Sequence, residues 1–403
     1  MNIRRMTTAQ RLDGIGEYYF SRKLREIGEM DRTGEQVINL GIGSPDMPPH
    51  PEVLRVLQEA SARPDVHAYQ SYKGSPVLRR AVSDWYARWY GVTLDPEREV
   101  LPLIGSKEGI LHICMTYLDW GDAALVPNPG YPTYRSAVRL AGGEVVEYRL
   151  REEEGWHPDL EGLASTVEAL SREGRRVKLM FANYPHMPTG RLPEPDGMRR
   201  LVDFARAHGI LLVHDNPYSF ILNDRPTSLL SVEGAMEVVL ELNSLSKSHN
   251  MAGWRVGMLC GAAPRIDEVL RFKSNMDSGM FLPVQLAAAK ALSLGRDWHD
   301  EVNRAYAERR REATEILARL GCRVAPGQAG MFLWARIPDA QADAYALSDE
   351  VLQGARVFIT PGGIFGDAGD RYLRISLCSP VGTLQAALGR IDKHLSNPVN
   401  PLT

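Results

Sequence analysis

Cysteine is scarce in this chain, and the few cysteines are widely spaced. Among 403 residues there are only four, Cys114, Cys260, Cys322 and Cys378, and no two of them form a Cys-x-x-Cys pair. Isolated cysteines of this kind are typical of buried thiols in a reducing compartment.

Long apolar runs and an excess of basic charge are also missing. No run reaches the roughly 18 apolar residues that a membrane helix needs, and no apolar segment of a secretory signal follows the opening residues 1–5. The net charge is −3 and the basic residues are dispersed, which argues against nucleic acid or an anionic membrane as the main partner. We therefore predict a cytoplasmic protein.

Motifs for metal binding and for serine hydrolysis are absent as well. The ten histidines show no His-x-x-Glu-His-like spacing, and Gly-x-Ser-x-Gly does not occur. We therefore predict no metal site.

The chain is long enough for two domains with large cores, and its 44% hydrophobic and 24% charged residues are ordinary for a soluble enzyme. Prolines between 45 and 51 mark a linker, and a long charged helix is predicted over 298–320. We predict an N-terminal arm with part of a small domain (1–50), a large domain (51–295) and a C-terminal small α+β domain (296–403).

Short apolar runs alternate with helical patterns through the predicted large domain. This alternation predicts an α/β fold with a mostly parallel, doubly wound sheet, whose ligand binds beyond the carboxyl ends of the strands. The predicted strands are Val100–Ile104, Ala123–Val126, Glu144–Leu150, Val177–Ala182, Ile210–His214 and Val238–Leu242. The polar residues at their ends are Gly105, Ser106, Asn128, Asn183, Asp215 and Lys247.

Lys247 is the most informative of these residues. It follows a predicted strand, small hydroxyl residues flank it, and Arg255 comes eight residues later. A lysine amine can form a Schiff base with the aldehyde of pyridoxal phosphate, and hydroxyls with an arginine can hold the phosphate. Taken alone, such a lysine is far more often a surface residue of a polar loop.

Ordered motifs along the chain resemble those of the class I/II, fold-type I aminotransferases. They cover residues 40 to 380, and the opening Glu17-Tyr18-Tyr19-Phe20, with the Leu40 block, looks most like the LL-diaminopimelate aminotransferase branch. The blocks are Leu40-Gly41-Ile42-Gly43-Ser44-Pro45-Asp46, Tyr69 with Gly74, Gly105-Ser106-Lys107, Asn128-Pro129-Gly130-Tyr131, Pro188-Thr189-Gly190, Asp215 with Tyr218, Ser244-Leu245-Ser246-Lys247 with Arg255, and Arg374.

The resemblance implies a pyridoxal-phosphate cofactor and a role for each block. Lys247 would form the internal aldimine and act as the catalytic base. The residues around the phosphate would be Gly105, Ser106, Lys107, Ser244, Ser246 and Arg255. Asp215 would hold the pyridine nitrogen, Tyr218 the phenolic oxygen and Tyr131 the ring face, with Asn183 also against the cofactor. Arg374, helped by a backbone N–H near Gly43, would bind the substrate carboxylate.

The same resemblance assigns Tyr69 to the phosphate of a neighbouring subunit, which implies a homodimer with shared active sites. From the residues alone, ordinary structural roles stay open. The turn at Gly105 could be an ordinary capped βα turn, and Asp215 could cap a helix or turn. Tyr218 and Tyr69 could be aromatic side chains packed in the fold. Tyr131 could anchor a loop, and Arg374 could form an ion pair at a sheet edge.

One position departs from the family pattern. The family has Asn-Pro-Thr-Gly, and that asparagine donates to the phenolic oxygen, whereas this chain has Met187 before Pro188. A thioether cannot donate a hydrogen bond, so that role is not assigned to Met187. Either another group replaces it, with Asn183 and His186 the nearest candidates in sequence, or the oxygen relies on Tyr218 alone.

The resemblance therefore predicts an aminotransferase that moves an amino group between an L-amino acid and a 2-oxo acid, with 2-oxoglutarate as the expected acceptor. A β-eliminating C–S lyase on the same fold would use the same cofactor residues. A non-catalytic, cofactor-dependent regulator is disfavoured, because such regulators usually carry an added helix-turn-helix domain and only a short segment precedes Leu40 here.

Overall fold

A computed structural model describes residues 7–13, 15–17, 19–34 and 36–396 of the chain. Tyr18, part of the opening motif, lies outside the described residues. The architecture is α/β, as predicted, and the elements are numbered in chain order.

Some of the helices begin with side-chain caps. Ser75 accepts a hydrogen bond from the N–H of Leu78 at the start of α3, and Asp159 accepts one from Gly162 at the start of α6. The helices are α1 Tyr19–Arg32, α2 Pro51–Ser61, α3 Pro76–Tyr90, α4 Ser106–Tyr117, α5 Pro132–Leu140, α6 Leu160–Arg172, α7 Pro195–His208, α8 Ala235–Val238, α9 Leu245–Ser248, α10 Ala263–Lys273, α11 Leu282–Leu292, α12 Arg296–Arg319, α13 Ala344–Ala355 and α14 Val381–Ser396.

The strands form one large sheet and two smaller ones. They are β1 Ile38–Asn39, β2 Val100–Leu103, β3 Asp122–Asn128, β4 Glu144–Arg149, β5 Arg176–Asn183, β6 Leu211–Asp215, β7 Val239–Ser244, β8 Gly257–Gly261, β9 Arg323–Val324, β10 Phe332–Arg336, β11 Val357–Phe358, β12 Thr360–Pro361 and β13 Tyr372–Ser376.

The large sheet has the order β2-β8-β7-β6-β5-β3-β4. Neighbours from β7 to β4 are parallel, and only β8 runs antiparallel to β2 and β7. The six predicted strands are confirmed to within two residues. The seventh, β8, was missed because Gly257 and Gly261 weaken the strand pattern.

This sheet is buried on both faces, beneath the helices that pack against it. Every residue of β3, β6 and β7 is buried, and separate apolar clusters cover the two faces. A strand buried on both sides has a continuous apolar sequence, and the apolar runs in this chain therefore made the strands predictable.

A second, antiparallel sheet has the order β12-β13-β10-β9. It places Arg374 of β13 opposite Trp334 of β10 and Thr360 of β12. The short strand β1 pairs in parallel with β11, so the segment leading to Gly41 and Gly43 runs beside this C-terminal part. Among the described residues, no helix has the length and apolar character needed to cross a membrane.

Candidate active site

The carboxyl ends of three adjacent strands form the floor of a cavity. Strands β5, β6 and β7 end at Asn183, Asp215 and Ser244, and the register of the sheet brings these ends to one edge. The cavity has a volume of about 280 Å³. It is lined by Ser106, Lys107, Tyr131, Tyr134, Asn183, Met187, Asp215, Pro217, Tyr218, Ser244, Ser246, Lys247, Ala252 and Arg255.

Most residues predicted for the site therefore lie around one cavity. A larger groove, of about 390 Å³, opens at the opposite ends of the strands, beside Arg176 and Glu237. It contains none of the predicted residues, and the smaller cavity is consequently the site of interest.

Lys247 lies in α9, the single helical turn that follows β7. Its Nζ donates a hydrogen bond to the carbonyl oxygen of Gly43 at 2.7 Å. Burial lowers the pKa of this amine to about 8, and the nearby positive charges of Arg374 and Arg255 act in the same direction. A sizeable fraction of the amine is therefore neutral near pH 7.5, as a nucleophile or base requires.

One end of the cavity is built to receive an anion. Gly105 has φ 85° and leads into α4 without offering a side-chain acceptor, which leaves the first N–H groups of the helix available. The guanidinium of Arg255 lies directly over Gly105, so any side chain at position 105 would collide with it. Arg255 Nη1 is also 3.5 Å from Ser246 Oγ.

Asp215 supplies the charge at the other end of the cavity. One of its carboxylate oxygens accepts a hydrogen bond from Tyr134 Oη at 2.7 Å, while Oδ1 is buried and has no hydrogen-bond partner among the described residues. Burial raises the pKa of this carboxyl to about 6, although the bond from Tyr134 opposes the shift. A buried carboxylate oxygen that lacks a partner is suited to accept a hydrogen bond from a cationic N–H group.

Tyr134 is a site residue that the sequence did not reveal. Its ring stacks on Phe181 with the centroids 4.9 Å apart, and it also contacts Tyr131 edge-on at 5.6 Å. Its position three residues after Tyr131, on the first turn of α5, was the available signal.

Asn183 and His186, the two candidates to replace the missing asparagine, are both engaged elsewhere. The Asn183 amide donates to the carbonyl of Asp215 at 2.6 Å and accepts from the N–H of Met187 at 2.7 Å. His186 is buried against Thr189, at 2.8 Å, and does not line the cavity. Met187 does line it, and its Sδ is 3.3 Å from Arg374 Nη1.

Arg374 lies deeper than the cavity lining and is 4% exposed. Its Nη2 donates to the carbonyl of Gly41 at 2.8 Å. The rings of Phe332 and Phe365 lie 3.9 Å and 4.6 Å from its guanidinium carbon, at cation–π distance. These aromatic neighbours, which the sequence did not indicate, orient the guanidinium.

Gly43 and Tyr69 stand apart from the other predicted residues. Gly43 contacts the site through its carbonyl oxygen, which accepts from Lys247; binding of a carboxylate by the adjacent N–H stays a prediction. Tyr69 is 94% exposed and does not line the cavity of its own chain.

Comparison with known proteins connects this geometry to a family. Residues 35–391 match the model of the family described as aminotransferase class I and II. The chain belongs to the class I and II aminotransferases. It is a pyridoxal-phosphate-dependent aminotransferase of fold type I, which confirms the predicted fold, enzyme class and cofactor.

The relatives agree with the branch that the sequence motifs indicated. The LL-diaminopimelate aminotransferase of Moorella thermoacetica is 42% identical over 97% of this chain and 99% of its own length. The enzyme of the same name from Desulforudis audaxviator is 43% identical over 95% and 96%.

Solved structures confirm the fold along the whole chain. Substrate-bound BacF from Bacillus subtilis superposes with a TM-score of 0.91 and is 36% identical, covering 99% of this chain and 100% of that one. A mutant aspartate aminotransferase of Thermus thermophilus has a TM-score of 0.88 and is 26% identical, covering 96% and 100%.

The residues of the cavity fit the family cofactor. The unpartnered Oδ1 of Asp215 suits a protonated pyridine nitrogen. The bare N-terminus of α4 with Arg255 suits a phosphate, and the buried amine of Lys247 suits an aldehyde. An anion site, a cation-binding carboxylate and an amine thus surround one cavity.

Proposed function

We propose that Lys247 carries the chemistry of this aminotransferase, and the observation that supports this proposal most is its buried amine on the wall of the cavity. Bound pyridoxal phosphate supplies an electron sink for the pair of electrons left when a proton leaves the substrate Cα. Lys247 Nζ takes that proton and returns it, since its lowered pKa lets it do both near neutral pH. The Gly43 carbonyl orients the amine.

The other predicted residues would divide the remaining tasks among them. Asp215 holds the pyridine nitrogen in its protonated form, because the carboxylate is buried and has an oxygen to accept the N–H. Ser106, Lys107, Ser244, Ser246 and Arg255 hold the phosphate around the start of α4. Tyr131 packs on the ring face, and Tyr218 donates to the ring oxygen.

Arg374 is proposed to bind the substrate carboxylate. A planar guanidinium offers a bidentate grip on a carboxylate, and the carbonyl of Gly41 with the two phenylalanine rings fixes its orientation. Binding requires the carboxylate to reach Nη1, which now lies against the thioether of Met187.

The names of the relatives suggest the substrates that we propose. Because the relatives are named for LL-diaminopimelate, we propose this diamino acid as one amino-group carrier and 2-oxoglutarate with glutamate as the other pair. A panel of amino acids, mixed one at a time with excess holoenzyme, tests this. The absorbance of the bound cofactor should change fastest with LL-diaminopimelate or glutamate; release of pyruvate and ammonia from cystathionine would indicate a C–S lyase instead.

Domain boundaries near residues 50 and 295 and a cytoplasmic location belong to the same proposal. The large sheet uses strands between residues 100 and 261, and the second sheet uses strands between 323 and 376, which supports two units. Buried, unpaired cysteines support a reducing compartment.

We further propose a homodimer with shared active sites. Tyr69 is 94% exposed, and exposed aromatic side chains of Tyr72 and Phe281 accompany it. Gln70 pairs with Gly279, so these side chains lie on two joined segments. An exposed apolar cluster of this kind is typical of an interface, and Tyr69 would reach the phosphate site of the partner subunit.

Mixing inactive variants tests the shared site. Homodimers of Tyr69→Phe and of Lys247→Ala should each be impaired, whereas mixed dimers should recover activity, since one of their two sites combines a wild-type Lys247 with a wild-type Tyr69. Native mass spectrometry confirms subunit exchange. Exchange without recovery of activity would show that each site is built within one chain.

Met187 gives a spectroscopic prediction. Met187→Asn should lower the pH midpoint of the visible absorbance change of the bound cofactor by about one unit, because an amide can donate a hydrogen bond to the ring oxygen and a thioether cannot. Met187→Leu, which also has no donor, should leave the midpoint in place. A midpoint that Met187→Asn does not move would mean that another group already donates there or that residue 187 does not face the cofactor.

A further inference from the structure

A largely buried cluster of four ionisable side chains lies beneath the phosphate end of the site. Glu108 belongs to the first turn of α4, His112 lies one turn later, Lys273 ends α10, and Asp277 follows in the next segment. Glu108 Oε1 is 2.7 Å from His112 Nε2. The ammonium of Lys273 donates to both oxygens of Asp277, at 2.7 and 2.6 Å.

The cluster is largely shielded from solvent. The side chains of His112 and Lys273 are 0% and 2% exposed, and those of Glu108 and Asp277 are 14% and 12% exposed. Ligand atoms of Glu108, His112 and Asp277 lie within 4.8 Å of one another. The ammonium of Lys273 pairs with Asp277 inside this group, and the four side chains form one polar network.

The network is bonded to the turn that leads into the phosphate site. Glu108 Oε2 accepts a hydrogen bond from the backbone N–H of Ile104 at 2.6 Å. Ile104 directly precedes Gly105, the N-cap of α4, and the next two residues, Ser106 and Lys107, line the cavity. Glu108, in the first turn of α4, therefore fixes the direction in which the chain enters this helix.

The network is also close in sequence to the segment that pairs beside Tyr69. Two residues after Asp277, Gly279 pairs with Gln70, and a side chain at position 279 would collide with the carbonyl oxygens of Gln70 and Ser71. Two residues further on, Phe281 stacks on His67 with centroids 5.7 Å apart. Asp277 therefore lies at the base of a segment that contacts the chain on either side of Tyr69.

We propose that Glu108 and Asp277, whose carboxyl oxygens lie within 4.8 Å of each other, are positioning residues that hold the phosphate turn and the Tyr69 segment in register. Neither carboxylate touches the cavity. Glu108 acts through its bond to the Ile104 N–H, and Asp277 through the two residues of chain that join it to Gly279. This inference rests on the proposed placement of the cofactor phosphate at the start of α4.

Equilibrium dialysis of the full-length protein against pyridoxal phosphate, and in parallel against pyridoxal, tests the network. Pyridoxal lacks the phosphate but retains the ring and the aldehyde. Glu108→Ala and Asp277→Ala should each weaken binding of pyridoxal phosphate about tenfold, the equivalent of one charge-assisted hydrogen bond. Binding of pyridoxal should not change.

Two control variants distinguish the positioning of the phosphate turn from a general weakening of the packing around α4. Asp277→Asn retains an amide that can accept from Lys273 and donate to Glu108, and it should bind both ligands as the wild type does. Glu268 accepts a hydrogen bond from Tyr117 at the far end of α4, at 2.6 Å. Glu268→Ala therefore removes a comparable contact from the same helix, and it should leave both dissociation constants unchanged.

The outcomes distinguish this inference from the proposed function. Wild-type affinity in both alanine variants, or an equal loss for pyridoxal and pyridoxal phosphate, would overturn the positioning role. A wild-type protein that binds the two ligands equally well would instead overturn the placement of the phosphate. If Glu108→Ala does not fold by circular dichroism, Asp277→Ala decides, because Asp277 lies outside the helices.

Discussion

Replacing Lys247 with alanine should lower the rate of amino-group transfer on the order of 10⁴-fold or more, while the protein stays folded. The size follows from the loss of both the covalent attachment and the proton carrier. The fold should survive because the amine makes one hydrogen bond, to the Gly43 carbonyl, and points into a cavity.

Single-turnover absorbance with glutamate and a thermal melt together test this prediction. Lys290→Ala provides a matched control, since Lys290 pairs with Glu52 on the surface of α11 and lies away from the cavity. Turnover by Lys247→Ala within about tenfold of wild type would remove this residue from the chemistry.

Arg374→Ala should have the second largest effect, which should be a weaker binding of the substrate. Loss of a charge-assisted bidentate contact in a desolvated site costs on the order of 2–5 kcal/mol, so the Michaelis constants for amino acids should rise by at least about thirtyfold. Affinity for the cofactor should change much less, because Arg374 does not line the cavity.

Two further arginine variants test whether the effect is specific to the guanidinium of Arg374. Arg374→Lys keeps the charge but loses the planar fork, and it should recover only part of the affinity. Arg336→Ala removes an arginine from the adjacent strand β10, near the surface beside Asp339, and should behave as wild type. Unchanged Michaelis constants for all amino acids in Arg374→Ala would show that another group binds the carboxylate.

Much of the large sheet could be predicted from sequence because its strands are buried on both faces. Such strands appear as uninterrupted apolar runs, and the residue that ends each run is placed at the ligand-binding edge by topology alone. Asn183, Asp215 and Lys247 were identified in this way and do converge on one cavity.

What the sequence could not reveal depends on contacts between distant segments. The aromatic rings around Arg374 come from Phe332 and Phe365, which only the folding of the second sheet brings to it. The bond between Lys247 and Gly43 joins residues 204 positions apart. No local pattern encodes such pairs, and the same is true of the link between Glu108 and Asp277.

Borohydride reduction of the holoenzyme, followed by peptide mapping, is the most direct test of the central claim. Reduction makes the link between cofactor and lysine permanent. The account predicts that the added mass is found on the peptide that contains Lys247, in a stoichiometry of one per chain, and that Lys247→Ala shows none. Added mass on any other lysine of the wild-type protein would contradict it.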